Sequence, residues 1–185
     1  MSLWLFPLAL LAGSALAEDL ASVAQQKIDL IVENRAAPGS VVMFTPAEAN
    51  AWAHARLPTL VPKGIRNEVL EFGYDTVSGY ALMNFLAVRE GLGFKAGAIL
   101  SRLLEGDRPV KAQVRVVSAK GQATVYLTRL EVNGTVMAGT MLDLLIDDVL
   151  RPVYPTAKIN QPISLENRVE RVEIRPTGIR VVILK

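Results

Sequence analysis

The order of elements predicts an α+β fold: a single domain in which a highly curved antiparallel sheet wraps around amphipathic helices and can leave an apolar groove. Three observations carry this. Strand-like stretches follow one another through hairpin turns with helices interspersed, not in the regular alternation of a doubly wound parallel sheet. Several of these stretches change hydrophobic phase part-way, which calls for bulges and suits strong curvature. Finally, Val41 to Trp52 reads as a short apolar strand that turns directly into a helix.

That junction is the sharpest local signal in the chain. Thr45 is the predicted N-cap, Pro46 suits the first helical position, and Glu48 falls where it can reach back to the cap backbone and complete a capping box. Any contribution to function would come from aiming Trp52 and the alanine face of the helix toward the sheet.

Before it, residues Glu18 to Arg35 form a predicted amphipathic helix with Leu20, Ala24, Ile28 and Ile31 on one face, stopped by Ala36-Ala37-Pro38-Gly39. Strand Ser40–Phe44 follows, then the capped helix to Leu57, with Pro58 and Pro62 bracketing a turn. Val69–Tyr74 and Tyr80–Val88 read as strands joined by a turn over Asp75 to Gly79. Phe94–Glu105 reads as a helix with Gly106 at its C′ position. Val110–Ser118 alternates cleanly and turns at Lys120-Gly121 into Gln122–Asn133. In that strand Ala123, Val125 and Leu127 share a face, whereas Leu130 and Val132 are out of phase, so a bulge is predicted near Thr128-Arg129. Asn133-Gly134 fits a type I′ turn into Thr135–Ala138. Thr140 is the predicted cap of an apolar helix, Met141–Leu150. The chain closes with a hairpin: Arg168–Arg175, a Pro176-Thr177-Gly178 turn and Ile179–Leu184.

Composition narrows the classes. With 51% apolar and 21% charged residues spread along 185 positions, the chain has the makings of a sizeable core. A net charge of +2 with interleaved signs lacks the basic stripe of a nucleic-acid binder. The chain has no cysteine, which excludes disulfides, thiolate catalysis, cysteine metal sites and the lipidated cysteine of a bacterial lipoprotein.

Leu3 to Ala12 is almost uninterrupted apolar sequence, and Ala15 and Ala17 form an A-x-A site just before Glu18 and Asp19. This is a secretory signal pattern over residues 1–17, although no Lys or Arg precedes the apolar run. The run is short for a spanning helix, which needs about 20 residues. Cleavage after Ala17 is expected, with an uncleaved membrane anchor as the alternative. Either places the folded part, 18–185, in the periplasm or otherwise outside the cytoplasm, in a bacterial cell envelope.

No catalytic constellation stands out, and no cofactor or metal site is expected. His54, the one histidine, shares a helix face with Asn50: a polar pair in a site, or an ordinary satisfied one. Asp143, Asp147 and Asp148 make an acidic patch that reads either as a hard-cation site or as the solvated side of its helix. Glu166, Glu170 and Glu173 read as strand-surface charges. Patterns such as G-x-S-x-G and H-E-x-x-H are absent.

The informative excess is apolar. The helices at Phe94–Glu105 and Met141–Leu150 carry wide apolar arcs that either fill a dry core or line a groove for a hydrophobe. Candidate groove residues are Trp52, Phe72, Ile99, Leu100, Leu103, Leu142, Leu145, Ile146 and Val149.

Several stretches also resemble exported bacterial lipid-binding proteins of the LmeA-like phospholipid-binding and tubular-lipid-binding type. These are Phe44-Thr45-Pro46-Ala47-Glu48-Ala49-Asn50, with its T-x-x-E-x-N opening; Leu130-Glu131-Val132-Asn133-Gly134 running through Val136 into Met141–Leu150; and the ending from Pro162-Ile163-Ser164-Leu165 onward. The resemblance implies a curved sheet around helices that hold apolar ligands; the missing tethering cysteine departs from the lipoprotein members. The expected function is therefore binding or ferrying of a lipid or other hydrophobic ligand, with peripheral membrane contact and no catalysis. The alternative is a structural or partner-binding periplasmic protein with a filled core.

Overall fold

In the computed structural model, the described residues are 8–61, 63–91, 93, 106–147 and 159–185. The helix expected at Phe94–Glu105, with Ile99, Leu100 and Leu103, lies outside them, as do Asp148, Val149 and the side chain of Leu145.

The chain opens with α1, Leu8–Val32. It runs without interruption through Ala17-Glu18, so the helix begins earlier than expected. It also ends earlier. Asn34 adopts φ 56°, the amide of Arg35 donates to the carbonyl of Leu30 (2.9 Å), and that of Asn34 donates to Ile31 (3.0 Å). This is a Schellman closure with asparagine in the left-handed position, so the stop comes before the Ala-Ala-Pro-Gly stretch. Strand β1, Val41–Phe44, leads into α2, Pro46–Leu60, which continues through Pro58 instead of stopping at Leu57. A proline this close to the C-terminal end disturbs one turn only, and the Val61 amide still closes it by donating to Leu57 O at 2.8 Å.

Strands β2 (Ile65–Phe72) and β3 (Thr76–Met83) form a hairpin whose turn is tighter than expected, at Gly73-Tyr74-Asp75. Residues Phe85–Gly91 are helical, α3, where the sequence suggested more strand. Asn84 explains the switch, because its Oδ1 accepts from the Ala87 amide at 3.0 Å as an N-cap does. Strands β4 (Arg108–Ala119) and β5 (Gln122–Val132) pair antiparallel, and β6 (Thr135–Val136) follows through Asn133-Gly134 at φ 52° and 77°. Helix α4, Gly139–Leu145, starts after Ala138, so Thr140 lies inside it and is not its cap. The last strands are β7 (Pro162–Ser164), β8 (Val169–Arg175) and β9 (Gly178–Ile183).

The strands divide into two antiparallel sheets. One is three-stranded, in the order β1-β9-β8; the other runs β2-β3-β4-β5-β6, with β7 also on β5. The expected bulge is where the phase break placed it. Gln113 pairs with Arg129 and Val114 with Leu127, so Thr128 is the extra residue, and its hydroxyl donates to Gln113 O at 3.0 Å. The sheets meet along β8. The amide of Gly121 donates to Glu170 O (2.7 Å), that of Asp75 to Ile174 O (3.1 Å), and that of Val172 to Ser118 Oγ (2.9 Å). The main core lies between the three-stranded sheet and α1, around Ala24, Val42, Phe44, Val181 and Ile183. A smaller cluster forms around Phe85 and Val132. No helix among the described residues is long and apolar enough to cross a membrane.

Candidate functional site

An open apolar groove of about 470 Å³ lies beside the main core. Its walls follow from the periodicities of the elements that build it. On α1, Ala24, Ile28 and Ile31 stand at i, i+4 and i+7, one face of a 3.6-residue repeat. On α2, Ala49, Trp52 and Ala53 stand at i, i+3 and i+4. On the sheet, Phe44, Ile179, Val181 and Val172 lie at alternate positions of β1, β9 and β8 in matching register, hence on one face. Leu70 of β2, Val32 at the end of α1, and Leu165 and Val169 complete the apolar lining. Alanines at 24, 49 and 53 leave space where longer side chains would fill it.

The capping box positions α2. Thr45 Oγ1 accepts from the Glu48 amide at 3.2 Å, and the Thr45 amide donates to Glu48 Oε2 at 2.9 Å. Glu48 has a second task that sequence reading missed. Lys27 of α1 donates to both its carboxylate oxygens, at 2.7 and 2.8 Å, and to the carbonyl of Met43 at 2.8 Å. Glu48 is buried, and burial alone would raise its pKa. The Lys27 ammonium and the Thr45 donors outweigh burial and hold the carboxyl below its ordinary range. This pair fastens α1 to the start of α2. Trp52 makes the second fastening: its indole N–H donates to Gln25 Oε1 at 2.8 Å, and Gln25 in turn donates to Asp29 at 2.7 Å. With its polar atom engaged on α1, the ring contributes apolar surface to the groove.

Of the residues expected to line a groove, Trp52 does so. Phe72, Leu142 and Ile146 do not line this one. Among the described residues the groove forms mainly from α1, α2 and the terminal hairpin. The signals that could have found it were the α1 stripe and the alanine face of α2.

The polar candidates resolve individually. Asn50 acts as a backbone surrogate. Its amide group donates to Leu70 O (2.9 Å) and accepts from Leu70 N (2.7 Å), tying α2 to β2. His54 is exposed and meets Glu68 Oε1 at 2.5 Å, a carboxylate that is distant in sequence. Among the described residues, no group of three or more His, Asp or Glu side chains is placed to hold a metal ion. Glu170 pairs with Arg171, while Glu173 accepts from Arg171 and Arg180. The hydrogen bond from Arg171, against a smaller opposing effect of burial, keeps the Glu173 carboxyl low. Glu166 alone of the three lines the groove, together with Asn167, and these two are the hydrophilic side chains of its lining.

No family model, curated protein or solved structure matches the chain.

Proposed function

We propose that this chain is an exported cell-envelope protein that binds or ferries a lipid or similar hydrophobe in the groove between α1, α2 and the three-stranded sheet, without catalysing a reaction on it. One observation carries the reading: α1, α2 and the three-stranded sheet each turn an apolar face into the groove, and Glu166 and Asn167 are the two hydrophilic side chains among its lining residues. Its volume falls within the roughly 300–1,000 Å³ of small-ligand sites. Export is supported by the apolar run and A-x-A site of residues 1–17, and lipid binding by the T-x-x-E-x-N resemblance at Thr45 to Asn50.

The test uses Trp52 as a reporter in a Trp4→Phe background. Titration with a brominated fatty acid should quench indole emission, because the heavy atom enters contact range of the ring. Unchanged emission at saturating probe counts against a groove ligand. A partner-binding role is the second reading. It is favoured by Val41 and Met43, exposed apolar side chains on β1, the edge strand of its sheet.

A further inference from the structure

Four chain segments converge at one end of the groove. Val32, the last residue of α1, lines the groove and is 55% exposed. Leu184, 43% exposed, donates its amide to Arg168 O at 2.8 Å and accepts from the Gly39 amide at 3.1 Å. The Lys120-Gly121 turn abuts the same place, since Gly121 accepts from the Leu165 amide and donates to Glu170 O, both at 2.7 Å. Val32 therefore stands exposed at a groove mouth, and the backbone bonds of Leu184 and Gly121 bring Lys120, Arg168 and Lys185 to the same end.

The charges at this end are unbalanced. Glu33 is taken by Arg35 and Glu170 by Arg171. Lys120, Arg168 and Lys185 make no ion pair with any described residue, and Glu166 is the one carboxylate in the groove lining without a partner. Backbone geometry adds an independent observation. Asn167 and Arg168 have φ 55° and 59°, the same pattern as Lys120-Gly121 (52°, 73°) and Asn133-Gly134 (52°, 77°). Glycine occupies the second position in those two turns, as left-handed backbone favours. Arginine holds it here against that preference, and such outliers concentrate at functional positions.

We propose that this end of the groove is a docking surface for an anionic bilayer, with Val32 entering the interfacial region while Lys120, Arg168 and Lys185 face lipid phosphates. An exposed apolar tip beside unpaired cations is a composition that binds anionic membrane surfaces. The inference rests on the groove reading in one respect, that the bilayer would deliver or receive the groove's ligand. The docking surface itself is tested separately.

The experiment compares the full-length chain with a Lys120→Asn/Arg168→Gly double variant, so that the apolar N-terminal stretch is common to both. Both replacements suit positive φ, and neither residue lines the groove, so folding and any co-purified hydrophobe are retained. Co-sedimentation is measured with vesicles of equal parts phosphatidylglycerol and phosphatidylcholine, and with pure phosphatidylcholine. Each cation near an anionic surface is worth about fivefold in affinity. The double variant should therefore bind the anionic vesicles about twenty-five-fold more weakly, and added salt should narrow the difference. Equal binding by the two proteins, or equal binding of the wild-type chain to both vesicles, overturns the docking surface. Loss of the co-purified hydrophobe from the wild-type chain itself would instead count against the groove.

Discussion

A Cβ on Gly178 would stand 1.9 Å from the carbonyl oxygen of Phe44, at a backbone φ of +121°. No rotamer relieves a clash with a main-chain atom, and the left-handed region adds its own strain. Gly178→Ala should therefore cost about 3 kcal/mol or more, read as a lower urea midpoint with unchanged slope. A change of less than about 1 kcal/mol would mean that β9 and the β1–α2 junction are not so closely packed. Glu48 sets a second expectation at this scale. Its folded carboxyl titrates below the ordinary value of 4.5, because Lys27 and Thr45 outweigh the opposing effect of burial. Its contribution to stability is thus complete above that value and is lost as pH falls through the lower folded pKa. Glu48→Gln should flatten the acid limb of a stability–pH profile and lower stability near neutrality; a profile of unchanged shape would contradict the clamp.

At the scale of elements, the β4–β5 bulge makes an unusual forecast. Leu127 lies opposite Val114, Arg129 opposite Gln113 and Leu130 opposite Ala112, so Thr128 is the residue the ladder does not use. Deleting Thr128 restores plain alternation and leaves each pair in place. It should cost no more than about 1 kcal/mol, chiefly its hydrogen bond to Gln113. Deleting Tyr126 instead turns Leu127 to the opposite face and should cost about 2 kcal/mol more. Denaturant midpoints of the two deletions decide the matter, and equal losses would refute the bulge as the seat of the phase change. This bulge, the capping box and the Asn133-Gly134 turn were legible because each is written within a few neighbouring residues. The N-cap of α3 was equally local, but the aromatic and β-branched run around Asn84 masked it. The Schellman stop at Asn34 was overshadowed by the louder Pro38-Gly39 just beyond. Asn50 serving the backbone of Leu70 was not legible, because nothing near position 50 indicates which strand edge will lie beside it.

For the whole molecule, the same distinction explains why the apolar stripes were visible and their meeting place was not. The α1 face, the alanine face of α2 and the alternation in β8 and β9 can each be read locally. That α1 and α2 stand over the terminal hairpin depends on pairs such as Lys27–Glu48 and Gln25–Trp52, separated by more than twenty positions. Apolar width alone drew attention to the later helices. Among the described residues the groove lies where small residues face a sheet, because unfilled volume depends on what is missing from a side chain as much as on its polarity. The central proposal follows from that volume. Native mass spectrometry of the gently purified chain, set beside an Ala53→Phe variant whose ring would occupy the groove, tests it most directly. The predicted result is an additional mass of a hydrophobic ligand on the wild-type chain, removable by organic extraction and absent from a folded Ala53→Phe protein. A wild-type chain carrying no added mass, or a variant carrying the same ligand as the wild type, would contradict the groove as its binding site.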